Sequence, residues 1–286
     1  MHDRSNIINA MTVDVEDYYH VSAFSKKIKL DDWNNYEQRV ITNTNNILKL
    51  FDEHNVQATF FVLGWVAEKN PGLVREIANC GHEIASHGYS HQLIYNQNKK
   101  IFKEETFKSK KLLEDEAQTE VLGYRAASYS ITSESLWALD ILVEAGFKYD
   151  SSIFPIHHDR YGIPSAKINP HRFQTAKNKE IIEFPLTTQK FMGLKLPVSG
   201  GGYFRIYPYY FTKYLLKKKC YKNKHPFIFY FHPWEIDPWQ PKINAGLLSN
   251  FRHYNNIHKC KERLGMLLND FKFTTAKNVL TQLNLL

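Results

Sequence analysis

Four clusters of polar residues stand where apolar runs end, and their side chains could do hydrolytic chemistry together. Asp14, Glu16 and Asp17 follow Thr12-Val13, His87 and His91 are spaced i,i+4, Arg125 ends Gly-Tyr-Arg, and His232 follows Phe-Ile-Phe-Tyr-Phe. Three carboxylates within four residues are costly to gather without a cation or a shared proton. Two histidines on one helical face can share a metal, and a carboxylate would complete an N,N,O site. A metal there would bring the pKa of a bound water toward neutrality. Trp234 and Glu235 could shield and orient the His232 ring, tuning it as a general acid. Arg125, facing carboxylates at a strand end, would hold one of them ionised and oriented.

Each piece has a plainer reading. The histidine pair could be ordinary surface residues at a polar helix start, the acids a solvated loop or an N-cap with Asp17 leading a helix. His232 could bond a carbonyl, and Arg125 could sit in solvent. Placement argues for chemistry. Strand C-terminal ends are where parallel β/α folds assemble sites, and four runs deliver acid, imidazole, guanidinium and imidazole to one rim.

The elements that must position them alternate in type. The pattern predicts strands at 7–13, 57–63, 82–86, 121–125, 147–150, 181–185 and 227–231. Between them it predicts helices over 37–54, from Pro71 through Ala78, over 102–113 and over 133–144 with a Gly146 stop. A run at 197–203, helices through 213–219 and 258–271, and a C-terminal segment over 273–283 follow. The polar, Pro-containing stretch 157–179 reads as a long surface loop. A βαβα order implies a parallel sheet under helices. The expectation is one α/β domain over 1–286, a barrel with a C-terminal extension from about residue 240; a doubly wound open sheet is the alternative.

Composition narrows the function classes. The chain has 286 residues, 43% hydrophobic and 14% aromatic, enough for a sizeable core and too apolar for a disordered chain. A net charge of +8 is compatible with anionic glycans, phosphorylated lipid surfaces or nucleic acid. No nucleic-acid motif is present, and Lys217-Lys218-Lys219 reads as a solvated helix face. Three scattered cysteines support neither a disulfide framework nor a cysteine metal cluster. Residues 1–14 contain no signal-like apolar run and nothing approaches a membrane span, so the expected location is the cytoplasm, with peripheral association at the inner membrane as an option.

Taken together, the motifs resemble the polysaccharide deacetylase family, carbohydrate esterases of the NodB-homology type. Thr-Val-Asp-Val-Glu-Asp-Tyr, Ser-His-Gly-Tyr-Ser-His, Gly-Tyr-Arg-Ala, Tyr-Asp-Ser-Ser and Phe-His-Pro-Trp-Glu-Ile-Asp-Pro occur in the family's order between Asp14 and Pro241. Ser199 to Arg205 (Ser-Gly-Gly-Gly-Tyr-Phe-Arg) adds a match, and the set is similar to the exosortase-associated, exopolysaccharide-locus subgroup. The resemblance implies a distorted seven-stranded (β/α) barrel. It implies Asp14 as general base, Arg125 as its orienter, His232 as general acid, and Asp150 as the acid near that histidine. His87 and His91 would be metal ligands with Glu16 or Asp17. Strand alternation favours Glu16, on the same face as Asp14, while a turn could present Asp17. The implied metal is divalent, Zn2+ first, with Co2+, Ni2+, Mn2+ or Fe2+ able to occupy the same donors.

Two departures stand out: Val15 separates acids that are usually adjacent, and Ala127 replaces a usual proline, which should loosen the loop after Arg125. Tyr129 and Trp234 are the candidate substrate-binding residues, while Phe229 and Phe231 could wall an acetyl pocket or simply be core. The implied reaction removes N-acetyl groups from an aminosugar in a bacterial polysaccharide or its lipid-linked precursor. The partner is then an N-acetylated glycan, with contact to a membrane or to polysaccharide-synthesis machinery as a further possibility. Rival readings are an allantoinase-like cyclic amide or imide hydrolase and a non-catalytic glycan-binding protein. The Gly200 to Gly202 segment and the aromatics favour a sugar-lined groove.

Overall fold

A computed structural model describes residues 7–286. Its centre is a parallel sheet in which β10 (Ile228–Phe231), β1 (Ile8–Val15), β2 (Thr59–Val62), β3 (Glu83–Ser86), β4 (Gly123–Tyr124), β5 (Tyr149–Asp150) and β7 (Glu180–Glu183) are neighbours in that order. These seven strands are buried on both faces, as parallel strands under helices must be. In β1, Met11, Val13 and Val15 pack outward, whereas Ala10 belongs to the inner cluster and Thr12 and Asp14 bond inward to Arg125.

The outer layer carries α1 (Val40–Glu53), α2 (Gly64–Lys69), α3 (Pro71–Asn79), α4 (Lys99–Ala117) and α5 (Trp137–Glu144). Asn98 starts α4 by accepting the Ile101 amide at 2.9 Å, and Gln118 ends it in the left-handed conformation.

Among the described residues, the two ends of this sheet meet without an eighth strand. Thr187 Oγ1 donates to Ile228 O at 2.7 Å and accepts the Ile228 amide at 2.9 Å, so a side chain stands in for ladder bonds. Further up, the Tyr230 amide donates to Ser199 O at 2.7 Å, beside a parallel bridge between Gly200 and Tyr230. Gly200 has φ +127°, and a Cβ there would lie 1.8 Å from Tyr230 O. The glycine run therefore closes the barrel; of its three members only Gly202 lines the cleft. This is the distortion in the barrel.

Three expectations change. The stretch 157–179 is not all loop, because β6 (His171–Gln174) pairs antiparallel with β7 and lies at the sheet edge. The run 197–203 splits into a hairpin, β8 (Thr188–Phe191) with β9 (Leu194–Pro197), and a short helix, α6 (Gly201–Ile206). After α7 (Tyr209–Lys217), α8 (Leu247–Tyr254) and α9 (Cys260–Asp270), the C-terminal segment returns to the barrel. There β11 (Lys272–Thr274) pairs with β1, and α10 (Ala276–Gln282) sends Ala276, Val279 and Leu280 into the inner cluster with Ala10 and Phe61.

Candidate metal centre

At the C-terminal end of β1 the Glu16 amide donates back to Asp14 O at 3.0 Å, turning the chain so that both carboxylates stay in one cluster. Glu16, His87 and His91 each offer one donor atom, all within 4.8 Å of one another. His91 Nε2 lies 2.8 Å from Glu16 Oε2, yet that buried oxygen accepts no hydrogen bond. A buried carboxylate oxygen without a partner is expensive, and a cation satisfies it. His87 Nδ1 bonds Arg125 O at 2.9 Å, and an N–H there leaves the Nε2 lone pair free for an ion. Two imidazoles and a carboxylate suit Zn2+ and its first-row neighbours. The residues therefore fit a divalent metal.

The histidines meet by another route than a helix. After β3 the chain passes through Gly88 at φ +73° and His91 at φ +52°, so a left-handed loop brings the two rings to 5.2 Å between centroids. Asp17 is not a candidate ligand. Its Oδ1 accepts the Tyr18 amide at 2.9 Å, and its Oδ2 accepts those of Arg39 and Val40 at 2.7 and 2.9 Å, tying β1 to the start of α1. The N-cap reading was the right one for this residue.

Arg125 is fully buried. Its Nη1 donates to Asp14 Oδ1 at 2.6 Å and Thr12 Oγ1 at 2.8 Å, its Nε and Nη2 bond Ser151, and its guanidinium covers the Phe61 ring at 4.0 Å. That leaves Asp14 Oδ2 toward the cleft, 3.5 Å from the Tyr129 hydroxyl and 4.0 Å from His232 Nε2. The loop after Arg125 is pinned despite Ala127, since Ser152 Oγ accepts the Ala126 amide and Ser130 Oγ donates to Ala127 O.

His232 Nε2 lies 3.5 Å from Glu16 Oε1, and its Nδ1 lies 3.5 Å from Glu235 Oε2. Glu235 in turn accepts from Arg205 Nε at 2.9 Å. Burial would lower the His232 pKa, but Glu235, Glu16 and Asp14 outweigh it and raise it to about 9. Burial would raise Glu16, but His91, His232 and His87 hold it well below the usual carboxylate range. Glu235 is likewise lowered to about 2, because Arg205 and His232 overcome its burial.

Asp150 does not stand beside His232. It caps Ser152 through both oxygens and adjoins Glu183, which its own burial and the Asp150 charge push well above the ordinary carboxyl range. Burial raises Asp150 itself to about 6. The acid at the histidine is Glu235, three residues further along the same chain.

Around these groups lies a cleft of about 400 Å3 whose walls include Tyr129, Tyr161, Tyr203, Arg160 and Arg252. Trp234 sits at its edge, stacked on the His232 ring at 4.9 Å and donating Nε1 to Glu16 Oε1 at 3.3 Å. It braces the site from behind. Phe229 and Phe231 face the outer core instead, against Phe204 and Phe51. Arg205 and Glu183 carried no role in the sequence; the only signals were a charge inside a motif and a glutamate in an apolar run. Tyr161 comes from the stretch read as loop and stacks on Phe154 and His158, which no local pattern announced.

Residues 31–149 match the polysaccharide deacetylase family, and residues 151–281 match a domain of unknown function, DUF3473. Both segments supply strands to the same sheet. A peptidoglycan-N-acetylglucosamine deacetylase of Bacillus cereus is 43% identical over 70 residues, 24% of this chain and 26% of the relative. A peptidoglycan deacetylase of Helicobacter pylori is 33% identical over 116 residues, 40% of this chain and 37% of the relative. The matches thus span only about a quarter to two fifths of these relatives' length. The fold is shared with a Mycobacterium smegmatis protein assigned to the polysaccharide deacetylases, at TM-score 0.64 and 18% identity over 99% of this chain and 92% of that one. It is shared with an allantoinase too, at TM-score 0.61 and 13% identity over 98% and 90%. Residues 31–149 are thus a segment of the polysaccharide deacetylase family type.

Proposed function

We propose that the protein is a metal-dependent hydrolase that removes N-acetyl groups from an aminosugar, in a bacterial polysaccharide or its lipid-linked precursor. The observation that carries this reading is the convergence of an N,N,O donor set, an oriented carboxylate and a half-buried histidine within 4.0 Å of that carboxylate.

A divalent ion held by Glu16, His87 and His91 would supply Lewis-acid polarisation of the acetamide carbonyl and a more acidic water. The chain's own residues do the rest. Arg125 holds Asp14 through Oδ1 and fixes its rotamer, so Oδ2 is the atom that takes a proton from the attacking water. Tyr129 limits where that oxygen can point. Nε2 of His232 gives a proton to the nitrogen as the C–N bond breaks, so the products are acetate and a free amine. Glu235, held by Arg205, keeps the imidazolium available for that transfer. Tyr203 offers a flat face for a sugar ring at the cleft wall.

The test is acetate release from a panel of N-acetylated oligosaccharides, run beside ring-opening of cyclic amides, with metal content measured on the same preparation. The expected result is acetate release that chelation silences and divalent metal restores, abolished in Asp14→Asn. Ring-opening without acetate release would move the protein to the cyclic amide hydrolases. Full activity in a metal-free preparation would overturn the mechanism.

A further inference from the structure

The cleft side of the barrel carries an apolar surface that the hydrolytic site does not use. Along α8, Leu247, Leu248 and Phe251 are 93%, 63% and 55% exposed, and Trp239 just before the helix is 85% exposed. The positions i, i+1 and i+4 share one face of a helix, while His253 is buried on another. The preceding segment is fastened to α8, not loose. Gln240 Oε1 meets His253 Nε2 at 2.7 Å, the Ile243 amide donates to the Tyr254 hydroxyl at 2.6 Å, and the Ala245 amide donates to Asn250 Oδ1 at 3.1 Å. Large apolar side chains held in water by a rigid frame mark an interaction surface.

The charge around it selects the partner. From Pro238 to Lys261 the chain has no aspartate or glutamate, but it has Lys242, Arg252, Lys259 and Lys261, all exposed. Leu and Phe on one helix face, an exposed tryptophan and flanking cations are what an anionic bilayer surface takes up. A soluble protein partner would more often present mixed charge to match. We propose that α8 and Trp239 form a ledge that seats the protein on an anionic lipid bilayer. Arg252 belongs to this helix and also lines the cleft, so the seated protein holds its cleft mouth beside the lipid surface. The seating is independent of the chemistry proposed for the cleft.

Flotation of the full chain with vesicles of phosphatidylcholine, with and without phosphatidylglycerol, tests this directly. Binding is expected only with phosphatidylglycerol, and it should weaken as salt is raised. Leu247→Ser/Leu248→Ser/Phe251→Ser should reduce it by about tenfold or more. Met192→Ser/Leu194→Ser, also exposed but on the β8–β9 hairpin, should bind like the parent. Trp239→Phe provides a second reading, since it should remove a blue shift of tryptophan emission on vesicle binding even if the triple variant folds poorly. Failure to bind phosphatidylglycerol vesicles overturns the proposal. So does unchanged binding by the triple variant, or a self-associated dimer that the triple variant splits in the absence of vesicle binding.

Discussion

Glu235 Oε2 stands 3.5 Å behind His232 Nδ1, and the pair is the link between the catalytic rim and the buried Arg205. The tight turn Pro233–Ile236 makes this possible by folding the acid back over the ring that starts it. The charge order Arg205, Glu235, His232 runs from the helix α6 into the cleft, and each member is set by the one before.

Glu235→Gln should therefore lower kcat for acetate release by roughly 10²-fold, within the range for general-acid chemistry, while KM changes little. The same change leaves the buried Arg205 without its anion, so the melting temperature should fall as well. Kinetics measured well below that temperature separate the two effects. Wild-type kcat in Glu235→Gln would remove the residue from the site.

The two acids after β1 have opposite jobs and should fail in opposite ways. Glu16→Gln should lose bound metal, because it alters one of the three donor side chains. Asp17→Ala should keep stoichiometric metal and lose about 2–3 kcal/mol, since three backbone amides give up their acceptor. Metal analysis and thermal melts on both variants check the pair, and metal loss in Asp17→Ala would reinstate it as a ligand.

The Glu183 carboxyl shows its effect through pH. Its pKa in the fold lies well above the ordinary value of 4.5, so the folded protein holds a proton that the unfolded chain releases. That contribution is complete below pH 4.5 and is lost progressively as pH rises toward the folded pKa. Glu183→Gln mimics the protonated form and should flatten this loss, making the variant relatively more stable at pH 8 than at pH 5. Urea midpoints at several pH values measure it; parallel curves for both proteins would refute a retained proton.

Barrel closure predicts a contrast between two glycines. Gly200→Ala should cost about 3 kcal/mol or more, because its Cβ collides with Tyr230 O at a φ that alanine avoids. Gly265→Ala, inside α9 with nothing within 4 Å, should stabilise by about 0.5–1 kcal/mol. Thermal melts of the two variants should move in opposite directions.

By itself the sequence determined which side chains form the centre. Asp14 lies at the end of an apolar run and Glu16, His87, His91, Arg125 and His232 come after such runs, which read as buried strands, and parallel strands put their C-terminal ends on one rim. Alternation along β1 was enough to favour Glu16 over a neighbour of equal charge. What tertiary structure decided lies in loops and long-range contacts. Asp17 could be read as ligand or cap until α1 arrived with its amides. The histidine spacing suggested a helix, but Gly88 and His91 in the left-handed region make a loop, which periodicity cannot distinguish over five residues. Asp150 was assigned to His232 by motif order, yet the sheet places it against Glu183, and the true partner lies within the turn after β10. The gap between β7 and β10 is bridged by Thr187 and Gly200, whose partners lie about 30 to 40 residues away along the chain. Local pattern reports which residues must be buried; which of them touch depends on how the barrel closes.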